Sequence, residues 1–216
     1  SEQWGPRPWT AWGRAATLLP MSTELKTLLN APNLDLSAIA QHLDGLEPHA
    51  RVAAVRTITG KEQAKLWAAT EGQGATLADL VPEGTEAGVE VINFGKNSFP
   101  LFTHFEKRMC RVEGQPGKLY GYNEGATRPL VGPGYFVVHD FPERGEVGVD
   151  YRMVPPDDAT LPASWPDIKP NEKGIQMFVY KGMVDYMRRV SQTVTIGRAF
   201  KGGDKDLGHT FLLCRH

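Results

Sequence analysis

The chain has 216 residues, of which 41% are hydrophobic and 23% charged, values typical of a globular protein rather than a disordered one. Its 24 Lys and Arg residues nearly balance 25 Asp and Glu residues, and this net charge of −1 argues against a nucleic acid as partner. No run of about 18 apolar residues is present, so the sequence predicts no membrane span.

The start of the chain lacks the compact apolar stretch of a secretory signal, which predicts a cytoplasmic location. Trp4, Trp9 and Trp12 lie there among Gly and Pro, and Met21 opens a sequence typical of a translation start. We interpret residues 1–20 as an N-terminal extension or a cloning remnant and leave them out of the fold prediction.

Residues 22–82 carry apolar side chains at helical spacing, in short stretches separated by Asn, Gly and Pro. In the first stretch, Leu25, Leu28 and Leu29 would share one face of a helix. The sequence therefore predicts a helical segment whose one-sided helices need a surface to pack against.

Residues 88–216 are richer in Gly, Val and aromatic side chains and divide into short strand-like runs separated by turn residues. These runs are residues 89–94, 119–122, 135–139, 147–153, 177–190, 193–200 and 210–214. We predict an α+β fold, in which the helical segment is followed by an antiparallel, lipocalin-like β-barrel or a strongly curved sheet.

Two segments of the β-rich part do not fit this pattern of short strands and turns. Residues 98–112 have apolar side chains at helical spacing and are predicted to form a helix, on which Lys107, Arg108 and Arg111 would be a solvated basic face. Residues 154–174, rich in Pro and Asp, are predicted to be a long loop, either a functional lid or an ordered crossover.

The C-terminal third resembles the closing strands of bacterial GXWXG-type lipocalin-like proteins. The resemblance lies in Val179-Tyr180, the run from Met183 to Val190, Thr193 to Gly197, and Phe211 to Leu213. Gly95-Lys96, Leu119-Tyr120, Asn123 and Pro129-Leu130 fall in the order of earlier landmarks of that family, although its signature tryptophan is absent. The resemblance implies a lipocalin-like barrel whose interior accepts a small apolar molecule, and it implies no defined activity.

Asp185, Arg188 and Arg189 form the densest polar group inside an apolar segment. On a strand, Arg188 would share a face with Val184 and Val190, the face that we expect to line the interior. A guanidinium there could hold a carboxylate or phosphate headgroup. The alternative is a structural ion pair at the barrel rim.

The predicted function is that of an intracellular binding protein for a small hydrophobic or amphipathic ligand held in the barrel. Polar side chains set among apolar strands would orient that ligand: Lys96, Asn123, Tyr151, Tyr180, Asp185, Arg188 and Arg198. Two alternatives stay open. The first is an enzyme that uses the same cavity with Asp185 or His139 as acid or base. The second is an interaction module in which residues 22–81 and the Trp-bearing N-terminus dock on a partner or on a second copy of the chain, so a homo-oligomer is also open.

The sequence shows no spacing typical of a metal or cofactor site, and we predict neither. His104, His139 and His209 lie in the β-rich part without His-x-His or His-x-x-x-His spacing. Cys110 and Cys214 lack a Cys-x-x-Cys spacing, so we expect two buried free thiols.

Overall fold

A computed structural model of the protein describes residues 21–99, 103–172, 174 and 176–216. Within these residues, five helices come first: α1 (Met21–Asn30), α2 (Leu36–Asp44), α3 (Pro48–Arg56), α4 (Gly60–Ala69) and α5 (Leu77–Leu80). Eight strands follow: β1 (Val91–Asn97), β2 (His104–Val112), β3 (Gln115–Glu124), β4 (Phe136–Phe141), β5 (Glu146–Asp150), β6 (Met183–Arg189), β7 (Val194–Lys201) and β8 (Lys205–Arg215). Two short helices lie between strands, α6 (Arg128–Val131) after β3 and α7 (Gln176–Tyr180) after β5.

The strands form a closed barrel in which each strand pairs antiparallel with the next, and β8 pairs with β1. This order is the simplest one for an antiparallel barrel, because every connection joins neighbouring strands. The antiparallel barrel that the sequence predicts is therefore confirmed. Every helix in the described part of the chain falls short of the length and apolar character needed to cross a membrane.

Helices α3 and α4 cover the outer face of the barrel over β7, β8 and β1, and α1 and α2 pack against these helices. Leu25, Leu29 and Leu66 belong to the same buried apolar cluster as Ile196 and Leu212 of the barrel. The one-sided apolar faces of these helices thus find their surface within the chain, and burying each such side chain contributes about 1.5–3 kcal/mol. Docking on a partner stays an alternative, and the Trp-bearing N-terminus considered for it lies outside the described residues.

One end of the barrel is closed by residues 73–81, which include α5. Ala75 and Leu80 pack with Met187 and other interior side chains of the barrel. Backbone hydrogen bonds hold the segment in place, from Ala75 N to Met187 O at 3.0 Å and from Arg189 N to Gln73 O at 2.7 Å. At the opposite end, β1 passes to β2 and β3 passes to β4 through the segment that holds α6.

The predicted loop over 154–174 crosses the outer face of β3 and β4. Trp165 packs against Tyr122 and Tyr135, with ring centroids 5.1 Å and 6.3 Å away, and its Nε1 donates to Glu90 Oε2 at 2.5 Å. Because these contacts are buried, the described part of this loop corresponds to the ordered crossover rather than to a lid.

The helix predicted over 98–112 is wrong, since residues 104–112 form strand β2 between β1 and β3. Residues 100–102 of that prediction lie outside the described residues. Phe105 and Met109 are four residues apart, which suits one face of a helix and equally one face of a strand. On the strand, the residue between them on that face is Lys107, and its charge concealed the alternation.

The run 177–190, predicted as strand throughout, begins instead with α7. Gly182, with a φ of +69°, separates that helix from β6. The tight turn expected near Ser191 and Gln192 is confirmed, because Val190 N donates to Val194 O at 2.9 Å across it. Both cysteines are free and buried, as expected, and the cytoplasmic location stays a prediction.

Candidate functional site

A cavity of about 200 Å³ lies inside the barrel at the end opposite α5. Its apolar lining includes Phe105, Met183, Ala199 and Phe211, which project inward from β2, β6, β7 and β8. Half-exposed Phe99 stands at the mouth. The cavity is therefore an apolar space with access from one end of the barrel.

Four side chains form a hydrogen-bonded polar cluster in the wall of this cavity: Lys107, Asn123, Tyr151 and Asp185. Lys107 Nζ donates to Asn123 Oδ1 at 3.0 Å and to Tyr151 Oη, and it lies 3.4 Å from Asp185 Oδ2. Tyr151 is also close enough to Asp185 to lower the pKa of that carboxyl. The side chains of Lys107 and Asp185 are only 2% and 7% exposed. A carboxylate can accept more hydrogen bonds than these two partners supply, so Asp185 keeps acceptor capacity for a ligand.

Aromatic rings surround the ammonium group of Lys107. Its Nζ lies 5.0 Å from the ring centroid of Phe136, 5.1 Å from that of Phe211, 5.6 Å from that of Phe105 and 4.9 Å from that of Tyr151. These distances are within the range of cation–π attraction.

The three phenylalanines owe their positions to glycines directly opposite them on the neighbouring strand. A Cβ at Gly121 would lie 2.4 Å from the ring of Phe136, and the other two glycines are equally crowded by their rings. Each ring therefore packs directly on the backbone of its glycine, and any larger residue at the glycine position would push the ring away. The pairs are Gly95–Phe105, Gly121–Phe136 and Gly197–Phe211.

Tyr180, from α7, covers one side of the polar cluster. Its ring stacks on that of Tyr151, with centroids 5.1 Å apart and an interplanar angle of 16°. It also lies against Gly134, where a Cβ would stand 2.4 Å from the Tyr180 ring. Burial raises the pKa of Tyr180 to about 12, so its hydroxyl stays protonated and can donate to a ligand.

Burial shifts the pKa of each ionisable group in the cluster towards its neutral form. The pKa of Lys107 is lowered by desolvation, although Asp185 opposes the shift. The pKa of Asp185 is raised by desolvation, although Lys107 and Tyr151 oppose it. The pKa of Tyr151 is raised well above its ordinary value, mainly by desolvation. Burial thus favours the neutral amine and acid, while the mutual attraction of Lys107 and Asp185 favours the ion pair.

The fixed charges around the cavity cancel. Lys107 is balanced by Asp185, and at the mouth Arg128 Nε lies 2.8 Å from Glu124 Oε1. His209 also lines the mouth, with its ring 5.4 Å from that of Phe99. The cavity therefore offers polar partners without a net formal charge from its Lys, Arg, Asp and Glu residues.

No family model, no curated protein and no solved structure matches this chain. The chemistry of the cavity therefore has to be inferred from its own residues. Among the described residues, no group of three His, Cys, Asp or Glu side chains is placed to hold a metal ion.

Four of the residues that the sequence singled out lie together in the cavity wall. They are Asn123, Tyr151, Tyr180 and Asp185, contributed by β3, the segment after β5, α7 and β6. The alternation of side chains along a strand places Asp185 inside, because Asp185 and Met187 point inward while Val184 and Tyr186 belong to the apolar cluster on the outer face.

The expectation that Arg188 points into the barrel is wrong. Its guanidinium lies 3.9 Å from the ring centroid of Trp67 on α4, donates to Trp67 O at 2.8 Å, and forms an ion pair with Glu146 at 2.6 Å. The face that it shares with Val184 and Val190 is the outer one, which α1 to α4 bury. Because both faces of β6 are buried, the apolar residues near Arg188 in the sequence do not show whether its side chain points into the barrel or out of it.

Three other candidates also lie away from the cavity. Lys96 is not among the lining residues, and Lys26 of α1 is close enough to lower its pKa in addition to the effect of burial. Arg198 forms an ion pair with Asp206 at 2.8 Å near the surface. His139 Nε2 lies 3.3 Å from Asp150 Oδ2 on the outer face of the barrel, so it cannot act on a ligand inside.

The sequence analysis missed Lys107 as a site residue. Its signal was the alternation of Phe105, Lys107 and Met109, which puts a cation between two apolar side chains on one face of a strand. The assignment of this segment as a helix placed the same lysine on a solvated face and removed that signal.

Proposed function

We propose that the protein binds a small, neutral, amphipathic molecule in the barrel cavity. The main observation behind this proposal is a buried polar cluster without net charge in the wall of an open, aromatic-lined cavity. An apolar ligand body would lie against Phe105 and Phe211, and a hydroxyl or carbonyl group would meet the cluster of Lys107, Tyr151 and Asp185. A few fixed polar groups among apolar walls are typical of small-molecule sites.

The barrel itself supports a binding role. Closed antiparallel barrels of eight strands enclose an interior just wide enough to hold one small ligand, as in lipocalins. The resemblance of the C-terminal third to GXWXG-type lipocalin-like proteins supports the same interpretation. The lipocalin-like assignment is part of this proposal.

The size of the cavity limits the ligand. A cavity of about 150 Å³ in another protein holds benzene, and the cavity here measures about 200 Å³. The enclosed part of the ligand should therefore be about one ring with a short substituent, on the order of eight non-hydrogen atoms. A longer ligand would extend past Phe99 at the mouth.

The charges favour a neutral ligand over the anionic headgroup considered for Arg188. An anion beside Lys107 would also be close to Asp185, which lies only 3.4 Å from the lysine. Attraction to one and repulsion from the other would nearly cancel, while the cost of desolvating the anion would remain. A hydroxyl group avoids that cost and can still donate to Asp185.

The test compares three probes of nearly equal size: benzyl alcohol, benzoate and benzylammonium. We expect benzyl alcohol to bind with a Kd of about 1 mM or tighter. Each charged probe should bind roughly tenfold more weakly or worse, since about 1.4 kcal/mol of uncompensated desolvation suffices for that ratio. Titrations followed by protein NMR would measure all three affinities. Tighter binding of benzoate would contradict the neutral-ligand proposal, and no binding of any probe would contradict the binding function.

A matched pair of substitutions locates the binding. Ala199 stands directly opposite Asp185 in the barrel wall, so Ala199→Phe would fill the cavity beside the polar cluster. Ala68 is exposed on α4, and Ala68→Phe adds the same ring to the outside. We expect the first variant to lose benzyl alcohol binding at least about tenfold and the second to retain it. Equal affinities for both variants would place the probe elsewhere.

A further inference from the structure

We propose that Lys107 forms an imine with an aldehyde or ketone held in the cavity, so that the ligand class is a reactive carbonyl compound. The inference deepens the proposed function and rests on it. Three features carry it: the position of the lysine in the cavity wall, the acid beside it, and the ring of aromatic side chains around its nitrogen.

If Lys107 served only as the ion-pair partner of Asp185, apolar residues at both positions would stabilise the fold equally well. Replacing a buried ion pair by apolar residues of similar volume is often neutral or stabilising, and the neighbouring inward positions Phe105 and Met109 are apolar. The pair also lies in the cavity wall rather than in the packed end around Leu80. Its placement thus favours a role towards a ligand over one in packing.

Imine formation needs a neutral amine and a nearby acid, and one proton transfer supplies both. Lys107 Nζ and Asp185 Oδ2 are 3.4 Å apart. Transfer of a proton from the ammonium to the carboxylate gives an amine and a carboxylic acid. Burial favours this neutral pair, because it lowers the pKa of Lys107 and raises that of Asp185. Desolvation in an apolar pocket is a known way to activate lysine as a nucleophile.

The reaction balances with these two groups alone. The lone pair of Lys107 Nζ forms a bond to the carbonyl carbon, and the π electrons of the carbonyl move to its oxygen, which takes the proton of the Asp185 acid. The Asp185 carboxylate then removes a proton from the nitrogen. It returns this proton to the new hydroxyl group, which leaves as water while the nitrogen forms the C=N bond. Counted from the ion pair, one ammonium group and one carbonyl give one protonated imine and one water, Asp185 ends as the carboxylate it began as, and no oxidant or reductant is needed.

The product fits the same surroundings as the lysine. A protonated imine is a cation, and Phe136, Phe211 and Tyr151 have their ring centroids 4.9–5.1 Å from the nitrogen position. Aromatic faces at this distance attract a cation. Asp185, once more a carboxylate, is the counter-ion. These aromatic rings therefore stabilise both the protonated imine of the bound state and the ammonium of the free protein.

The experiment traps the imine by reduction. The full chain is incubated at neutral pH with limiting benzaldehyde and sodium cyanoborohydride, and peptide mapping by mass spectrometry locates the benzyl adduct. Lys61, exposed at the start of α4, is the internal reference. We expect adduct at Lys107 in at least about tenfold excess over Lys61, because the cavity holds the aldehyde beside Lys107 and because burial, by lowering the pKa of this lysine, favours its neutral form.

Two further arms keep the test decisive without relying on a folded Lys107 variant. Excess benzyl alcohol should suppress the adduct at Lys107 at least several-fold and leave Lys61 unchanged, because only the first is in the cavity. Ala199→Phe should suppress it in the same way. If benzyl alcohol binds but Lys107 is labelled no more than Lys61, the imine proposal is overturned while the binding function stands. If benzyl alcohol does not bind, the proposed function itself has failed.

Discussion

Removing the charge of Lys107 alone should destabilise the protein strongly, and removing the charge of Asp185 as well should restore most of the loss. Lys107→Met leaves a carboxylate that is 7% exposed and has lost its only cationic partner in the cluster. Asp185→Asn leaves the converse, an ammonium that is 2% exposed. The double variant Lys107→Met/Asp185→Asn buries neither charge.

The separation of the two groups sets the size of the effect. At 3.4 Å and an effective dielectric constant of about 20, the attraction is about 5 kcal/mol. Breaking a buried pair by removing one partner typically costs about 3–5 kcal/mol, so each single variant should lose about that much. The double variant should lie within about 2 kcal/mol of the unsubstituted protein, since replacing both charges is often neutral.

The loss in Lys107→Met should depend on pH. Burial raises the folded-state pKa of Asp185 above its ordinary value of 3.8, and removal of Lys107 raises it further. Below that ordinary value the carboxyl is protonated in both the folded and the unfolded state, so it adds no cost. As the pH rises from there through the folded-state pKa, ionisation favours the unfolded state and stability falls. The variant should therefore come closest to the unsubstituted protein near pH 4.

Urea unfolding of the four proteins at pH 4.5 and pH 8 measures these free energies. The double-mutant cycle at pH 8 should give a coupling of about 3 kcal/mol or more between the two positions. Single losses that add to within about 0.5 kcal/mol would show that the two groups are not energetically coupled. That result would refute the conclusion that Lys107 and Asp185 stabilise each other as a buried ion pair.

Three further outcomes follow from the packing. Arg188→Met should cost about 2–3 kcal/mol in urea unfolding without changing benzyl alcohol affinity, because it removes the hydrogen bond to Trp67 O on α4 and the ion pair with Glu146. Arg198→Met, near the surface, should cost less than about 1 kcal/mol. Gly121→Ala should cost about 1–3 kcal/mol because its Cβ would press on a phenylalanine ring 2.4 Å away. Gly117→Ala, in the same strand with no atom within 4 Å of its Cβ, should be neutral or slightly stabilising, and equal losses would contradict the packing argument. Burial raises the pKa of both cysteine thiols to about 11, so both should react with a thiol reagent after denaturation and at least about a hundredfold more slowly in the folded protein. Fast labelling of the folded protein would contradict their burial.

Sequence patterns predicted local structure well where one face of an element is buried and the other is solvated. The short helices from α1 to α4 have such one-sided patterns. The turn after Val190 was predicted from its position between two strand-like runs, where the chain reverses. Four of the seven residues predicted to contact a ligand lie in the cavity wall, and the pattern that singled them out was a polar side chain among apolar neighbours, which is rare without a partner. These inferences needed only the neighbours of each residue along the chain.

The sequence by itself determined the one-sided patterns of the helices, the strand character of most of the barrel, and the balance of charge. Only the tertiary structure decided which face of β6 is the interior. Side chains on both faces of that strand are buried, those on the outer face in one apolar cluster and those on the inner face in another, so the residues around Arg188 in the sequence do not show that it points outward. The partner of Asp185 could not be predicted from the sequence either. Lys107 lies 78 positions earlier in the chain, and its Nζ comes within 3.4 Å of Asp185 Oδ2 only in the folded barrel. Long-range pairing of this kind depends on strand register, which no local pattern contains.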